Sequence, residues 1–174
     1  MEEPPPYDRI VPLIVATALF MDNMDSTVIA TSLPAIARAL GTNPLALKLA
    51  VTSYLLSLAI FIPASGWTAD RFGARNVFRT AIGVFVLGSI CCAASHTLSE
   101  FVAARIAQGV GGAMMTPVGR LIMVRSIHKR HLLNAMSLVT MPALIGPICG
   151  PPLGGFITTY ASWHWIFLIN VPIG

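Results

Sequence analysis

The sequence predicts an all-α protein, a polytopic transmembrane helical bundle. Two features of composition and one of pattern carry that prediction. Of 174 residues, 55% are hydrophobic and only 10% charged, where soluble globular chains carry roughly 25% charge. Several stretches reach the roughly 20 apolar residues that a helix needs to cross a hydrocarbon layer of about 30 Å. None of them alternates polar with apolar residues, as the strands of a membrane barrel must.

Five complete spans and the start of a sixth follow in order. Residues 1–9, "MEEPPPYDR", form a cytoplasmic N-terminal tail; residues 10–174 form the helical domain. The tail is acidic and proline-rich where a cleavable signal peptide starts basic, so the first apolar run is a span and not a leader. That span, 10–37, carries Asp22 and Asp25 in its interior. The second, 49–69, holds no charge, and the third, 77–96, rises out of a basic loop. The fourth, 99–124, has Arg105 as the charge well inside it. The fifth, 132–160, is uncharged but rich in proline and glycine, and the sixth opens near residue 165.

Orientation follows from the eleven Lys and Arg. Arg71, Arg75 and Arg79 mark the second-to-third connection, and Arg125, Lys129 and Arg130 the fourth-to-fifth. The first-to-second loop has only Arg38 and Lys48, and the third-to-fourth has none. The positive-inside rule puts the two basic loops and the N-terminus in the cytoplasm. The formal charge of +4 thus reports topology and not nucleic-acid binding, which would gather the basic residues into one stripe. Cys91, Cys92 and Cys149 lie in apolar spans without metal-ligand spacing and read as packing residues. His128 and His131 flank Lys129 and Arg130 in a solvated loop. The pattern contains no phosphate-binding glycine loop, nucleophilic triad or metal constellation, so neither an enzyme nor a cofactor is expected.

Asp22 and Asp25 stand three residues apart, on one helical face, at a depth where an ionisable group costs a few kcal/mol. Asp25 lies about 22 Å along the first helix from its inner end, and Arg105 about 9 Å from the outer end of the fourth, at 1.5 Å per residue. In a layer of about 30 Å these are nearly the same depth. A carboxylate there is pulled toward its neutral form by burial and toward its charged form by arginine. Such a residue can take up a proton facing one side and release it facing the other. Asp25 and Arg105, with Asp22, are therefore the candidate proton-coupling residues. A static pair that fixes helix packing is the alternative.

"GWTADRFGARNVFR", residues 66–79, contains Gly66, where a helix end can approach, and Gly73, which supplies a turn conformation. Asp70 among Arg71 and Arg75 is placed to cap the N-terminus of another helix, as a latch. Farther on, Arg105, Gln108, Gly109 and Gly112 recur at helical spacing and share a face. In "GPICGPPLGG", residues 146–155, Gly146, Gly150 and Gly154 form a smooth groove for a neighbouring helix. Gly155 closes the run. Pro147 and Pro151 each remove an N–H and bend the helix, which membrane helices tolerate when neighbours satisfy the freed carbonyls. The fifth span is thus suited to rocking against a partner.

Together these passages resemble the major facilitator superfamily. Residues 66–79 look like its loop signature, with Gly66, Asp70, Arg71, Gly73 and Arg75 in place, while Trp67, Thr68 and Ala74 depart from it. "RIAQGVGGA" is similar to the fourth-helix signature that supplies a buried arginine, and "GPICGPPLGG" to the fifth-helix antiporter signature. "MDSTVIATSLP", residues 24–34, and "WHWIFLINVPIG", residues 163–174, resemble the drug:proton antiporter family with fourteen helices, with His164 where an arginine is usual.

The resemblance implies the N-terminal half of an inner-membrane exporter that works by alternating access. Its partners would be the lipid bilayer, a small hydrophobic or cationic substrate, protons, and a C-terminal half of the same transporter. The proton gradient would be its energy source. On this reading the chain stops within its sixth helix and transports little alone. A major facilitator importer or uniporter of small polar solutes, or a non-transporting membrane half-domain, remain as other readings.

Overall fold

A computed structural model describes residues 9–174. The cytoplasmic tail expected over residues 1–9 lies, but for its last residue, outside the described residues. The helices are α1 (Ile10–Ala39), α2 (Pro44–Phe61), α3 (Ser65–Phe72), α4 (Ala74–Ala94), α5 (Leu98–Ser126), α6 (Lys129–Tyr160), α7 (His164–Leu168) and α8 (Asn170–Ile173). The first, third, fourth and fifth expected spans correspond to α1, α4, α5 and α6. Helices α1, α2, α4 and α6 are long and apolar enough to cross a membrane. Helix α5 has 29 residues, but Arg105, Gln108 and its glycines dilute its apolar content.

The second expected span is broken into α2 and α3. Pro63 brings no N–H, and the chain tightens around it: Ala64 N–H donates to Phe61 O at 3.1 Å and Ser65 N–H to Ile62 O at 3.1 Å. These are three-residue closures in place of helical four-residue ones. The sixth span is likewise divided, into α7 and α8.

Helix starts are set locally. Asn43 Oδ1 accepts from Leu45 N–H at 2.9 Å just before Pro44, whose missing donor costs nothing at a first turn. At α5, Thr97 and Glu100 form a reciprocal capping box, each satisfying a backbone N–H of the other. Gly73, at φ +83°, turns α3 into α4. This is a conformation that a side chain resists.

Polarity is inverted relative to a soluble bundle: Leu49, Leu56, Leu87, Leu133, Leu144 and Ile148 are all exposed, as lipid-facing residues are. Inside, two apolar clusters stack along the bundle. One holds Val15, Leu19, Phe78, Phe85 and Met123, and the other Ile29, Leu47, Cys92, Phe101 and Phe167. Between them lies a layer with buried polar side chains, Asp25 on α1, Ser89 on α4, and Arg105 and Gln108 on α5. That layer is the candidate site. Helix α1 packs mainly on α6, while α5 packs on α2 and α4.

Candidate functional site

Asp25 and Arg105 meet in the polar layer. Arg105 Nη1 donates to Asp25 Oδ2 at 2.6 Å, with both side chains fully buried. The equal depths expected from helix rise are thus the depths at which the two residues pair. Gln108, one helical turn beyond Arg105, ties the pair to its surroundings. Its Oε1 accepts from Arg105 Nη1 at 2.6 Å, and its Nε2 donates to Asp25 Oδ1 at 3.0 Å and to Ser89 Oγ of α4 at 2.7 Å. Asn170, at the head of α8, donates to Asp25 Oδ1 at 3.1 Å and to Ser89 Oγ at 3.0 Å. Helices α1, α5 and α8 therefore meet at one carboxylate, and α4 joins them through Ser89. On the carboxylate these bonds supply the further engagement that offsets the cost of burying an ion pair.

Asp22 occupies a different arrangement. Its Oδ1 accepts from the Tyr54 hydroxyl of α2 at 2.5 Å, and the carboxylate is half-buried. The Tyr54 ring in turn lies 4.1 Å beneath the Arg105 guanidinium carbon, a distance at which the ring face attracts the cation. Arg105 Nε and Nη2 and Asn170 Oδ1 are buried without a hydrogen-bond partner among the described residues.

The α5 glycines let this layer assemble. A Cβ at Gly109 would stand 2.8 Å from Tyr54 O of α2, and one at Gly112 would stand 3.0 Å from both Asp22 Oδ1 and the Tyr54 hydroxyl. Gly146, Gly150 and Gly154 are buried against α1, facing Asn23 and Met24, then Thr27, then Val28 and Thr31. They form the expected groove, and α1 is its occupant. Helix α6 runs unbroken through Pro147 and Pro151, which face outward. A Cβ at Gly155 would meet nothing within 4 Å, so this glycine lies off the seam.

Two residues of the loop signature have other surroundings within this chain. Among the described residues Asp70 meets no helix N-terminus. Its Oδ1 accepts from Arg125 Nη2 at the end of α5 at 2.8 Å, with both side chains more than half exposed. The end of a helix carries negative backbone dipole, so Asp70 is held by the arginine there and not by backbone N–H groups. Among the described residues Gly66 faces open space. Arg71 and Arg75 are exposed and form no ion pair among the described residues.

Sequence reasoning missed Tyr54, Ser89, Asn170 and Arg125. Tyr54 carried one usable signal, a phenol in an uncharged span that needs a partner when buried.

Residues 15–174 match the Major Facilitator Superfamily. The chain belongs to the major facilitator superfamily. Among relatives in this superfamily, the multidrug resistance protein MdtD of Serratia proteamaculans is 53% identical over 161 residues, covering 92% of this chain and 34% of that protein. MdtD of Citrobacter koseri is 51% identical over all 174 residues, 37% of its length. The chain thus spans about a third of the length of these relatives. The fold matches the crystal structure of a bacterial homologue of the human lysosomal transporter Spinster in an inward-facing, occupied conformation. That likeness has a TM-score of 0.82 at 16% identity, and it covers 98% of this chain and 43% of the other. The chain is accordingly a membrane protein with the architecture of a major facilitator N-terminal half.

Proposed function

We propose that this chain is part of a secondary active transporter of the cell inner membrane that exports hydrophobic or cationic compounds in exchange for protons by alternating access. The buried Asp25–Arg105 pair carries the reading. Charges at this depth are expensive and in membrane proteins mark ion pathways. Here they join α1 to α5, with α4 and α8 attached through Ser89, Gln108 and Asn170. The relatives named for multidrug resistance support the substrate class.

The N-terminus is cytoplasmic on this reading. The basic residues Arg71, Arg75, Arg79, Arg125, Lys129 and Arg130 cluster around the α3–α4 and α5–α6 connections, as the positive-inside rule requires of cytoplasmic loops. The Asp70–Arg125 pair is the cytoplasmic latch, and the α1–α6 glycine seam is the surface along which α6 moves.

The test uses everted membrane vesicles containing the complete transporter. Acidifying the lumen should drive ethidium inward, collapse of the pH gradient should stop it, and Asp25→Asn should abolish it. With Asp25 neutral, Arg105 has only Asp22 to balance it and the site no longer exchanges a charge. Ethidium accumulation that persists after the gradient collapses defeats the proposal.

A further inference from the structure

Away from the polar layer, a groove of about 430 Å³ lies between α3, α4 and α5. Val77, Ala81 and Val84 of α4 and Val110 and Met114 of α5 line its length, and Phe72 of α3 stands at one end. Among the described residues no charged side chain lines it. Thr68, on its wall, already spends its hydroxyl on the Ala64 carbonyl at 2.8 Å. Along α4 the groove runs from Asn76 to Val84, about 12 Å at helical rise. That is close to the roughly 15 Å that one leaflet contributes to a hydrocarbon layer of about 30 Å.

At the Phe72 end the groove joins a polar pocket. Asn76 lines both, and the pocket, about 380 Å³, adds Arg75 from α4 and Arg125 and Ser126 from the end of α5. The charged groups of this neighbourhood are Asp70, Arg71, Arg75 and Arg125. Asp70 is matched by Arg125, while Arg71 and Arg75 are exposed and form no ion pair among the described residues. The neighbourhood therefore carries a surplus of two positive charges. Trp67 marks its depth: it is exposed and lies edge to face with Phe72 at 6.3 Å, and tryptophan gathers where membrane meets water. An apolar slot of leaflet length that ends at unmatched cations beside such a residue complements one class of molecule.

We propose that groove and pocket together hold one anionic phospholipid from the leaflet that borders the α3–α4 connection. One acyl chain lies along the groove, and the phosphate sits at Arg75, with Asn76 and Ser126 as hydrogen-bond donors. The proposal rests on the membrane reading alone and not on proton exchange or export. A headgroup with a single negative charge, such as phosphatidylglycerol, answers the surplus of arginine charge. Zwitterionic phosphatidylethanolamine brings an ammonium to the same arginines and gains less. Free phosphate offers nothing to the groove. Because Arg125 borders the pocket and holds Asp70, the bound lipid lies against that ion pair.

The experiment titrates phosphatidylglycerol, phosphatidylethanolamine and glycerol 3-phosphate into the complete detergent-purified transporter and counts bound molecules by native mass spectrometry. The unaltered protein prefers phosphatidylglycerol to phosphatidylethanolamine by about five-fold or more, the weight of one arginine at an anionic membrane surface, and does not retain glycerol 3-phosphate. Arg75→Gln removes that preference. Thr80→Trp, which fills the groove from an exposed position, weakens both lipids. Arg79→Gln, on the same helix but lining a different groove toward α1, leaves the preference in place. Equal affinity for the two lipids overturns the proposal, as does a preference that survives Arg75→Gln or is lost equally in Arg79→Gln. Glycerol 3-phosphate bound as tightly as phosphatidylglycerol overturns it by showing an anion site without a lipid. Where Arg75→Gln is not monodisperse, Thr80→Trp decides: undiminished lipid binding by that variant places the lipid elsewhere. No readout here involves transport, so the export reading stands or falls separately.

Discussion

A Cβ on Gly88 of α4 would stand 2.8 Å from the Cα of Gln108 on α5, so these two helices touch backbone to backbone at the level of the polar layer. Gln108 is the residue that links Asp25, Arg105 and Ser89. Close approach of α4 is therefore part of how the ion pair is held.

Gly88→Ala tests this directly. The methyl group presses on the N, Cα and Cβ of Gln108, none of which can turn aside, so α4 and α5 separate, at a cost of about 1–3 kcal/mol typical of overpacking. The expected result is a lower melting temperature in detergent and loss of proton-driven ethidium uptake. Gly83→Ala on the same helix faces open space and should change neither. Equal behaviour of the two variants would show that the contact does not matter.

The α1–α6 seam makes a second pair of predictions. A Cβ at Gly150 collides with Thr27, whose hydroxyl already donates to the Asn23 and Met24 carbonyls and so cannot easily turn away. Gly150→Leu should abolish ethidium uptake while membrane expression stays near normal. Gly155→Ala, off the seam, should transport normally. Normal uptake by Gly150→Leu would rule out a moving contact there.

Backbone strain separates the two loop glycines. Gly73 sits at φ +83°, and forcing a side chain into such a conformation costs of order 1–3 kcal/mol. Gly73→Ala should lower the melting temperature measurably; Gly66→Ala, with free space and an ordinary φ, should leave it unchanged. Thermal unfolding in detergent reads both.

Asp70 and Arg125 are more than half exposed, and exposed pairs contribute about 0–1 kcal/mol. Asp70→Ala should therefore barely alter stability yet reduce transport if the pair holds one conformation of the cycle. Exchanging the charges, Asp70→Arg with Arg125→Asp, should recover part of that transport. If the exchange recovers none while Asp70→Ala is impaired, Asp70 acts through some other partner.

The spans of α1, α4, α5 and α6 were legible because a layer of about 30 Å imposes its length on any helix that crosses it. The Asp25–Arg105 pair was legible for a related reason: helix rise converts residue number into depth. What the pattern did not disclose was lateral placement. Nothing in the run around Tyr54 says that its hydroxyl meets Asp22, and Ser89 and Asn170 look like ordinary small polar residues until α4 and α8 converge on α1. Arg125 read as one more basic anchor, and only the position of α3 beside the end of α5 pairs it with Asp70. Pro63 was the visible sign of the α2–α3 break, outweighed by the uninterrupted hydropathy around it.

The charge inventory of the polar layer also bears on energetics at the scale of the cell. A site that trades one monovalent cation for one H⁺ moves no net charge across the bilayer, so membrane voltage does no work on the cycle and the pH difference alone drives it. A divalent substrate at the same site would make each turnover electrogenic, with the outward step opposed by a negative-inside potential of about 2.3 kcal/mol per elementary charge per 100 mV.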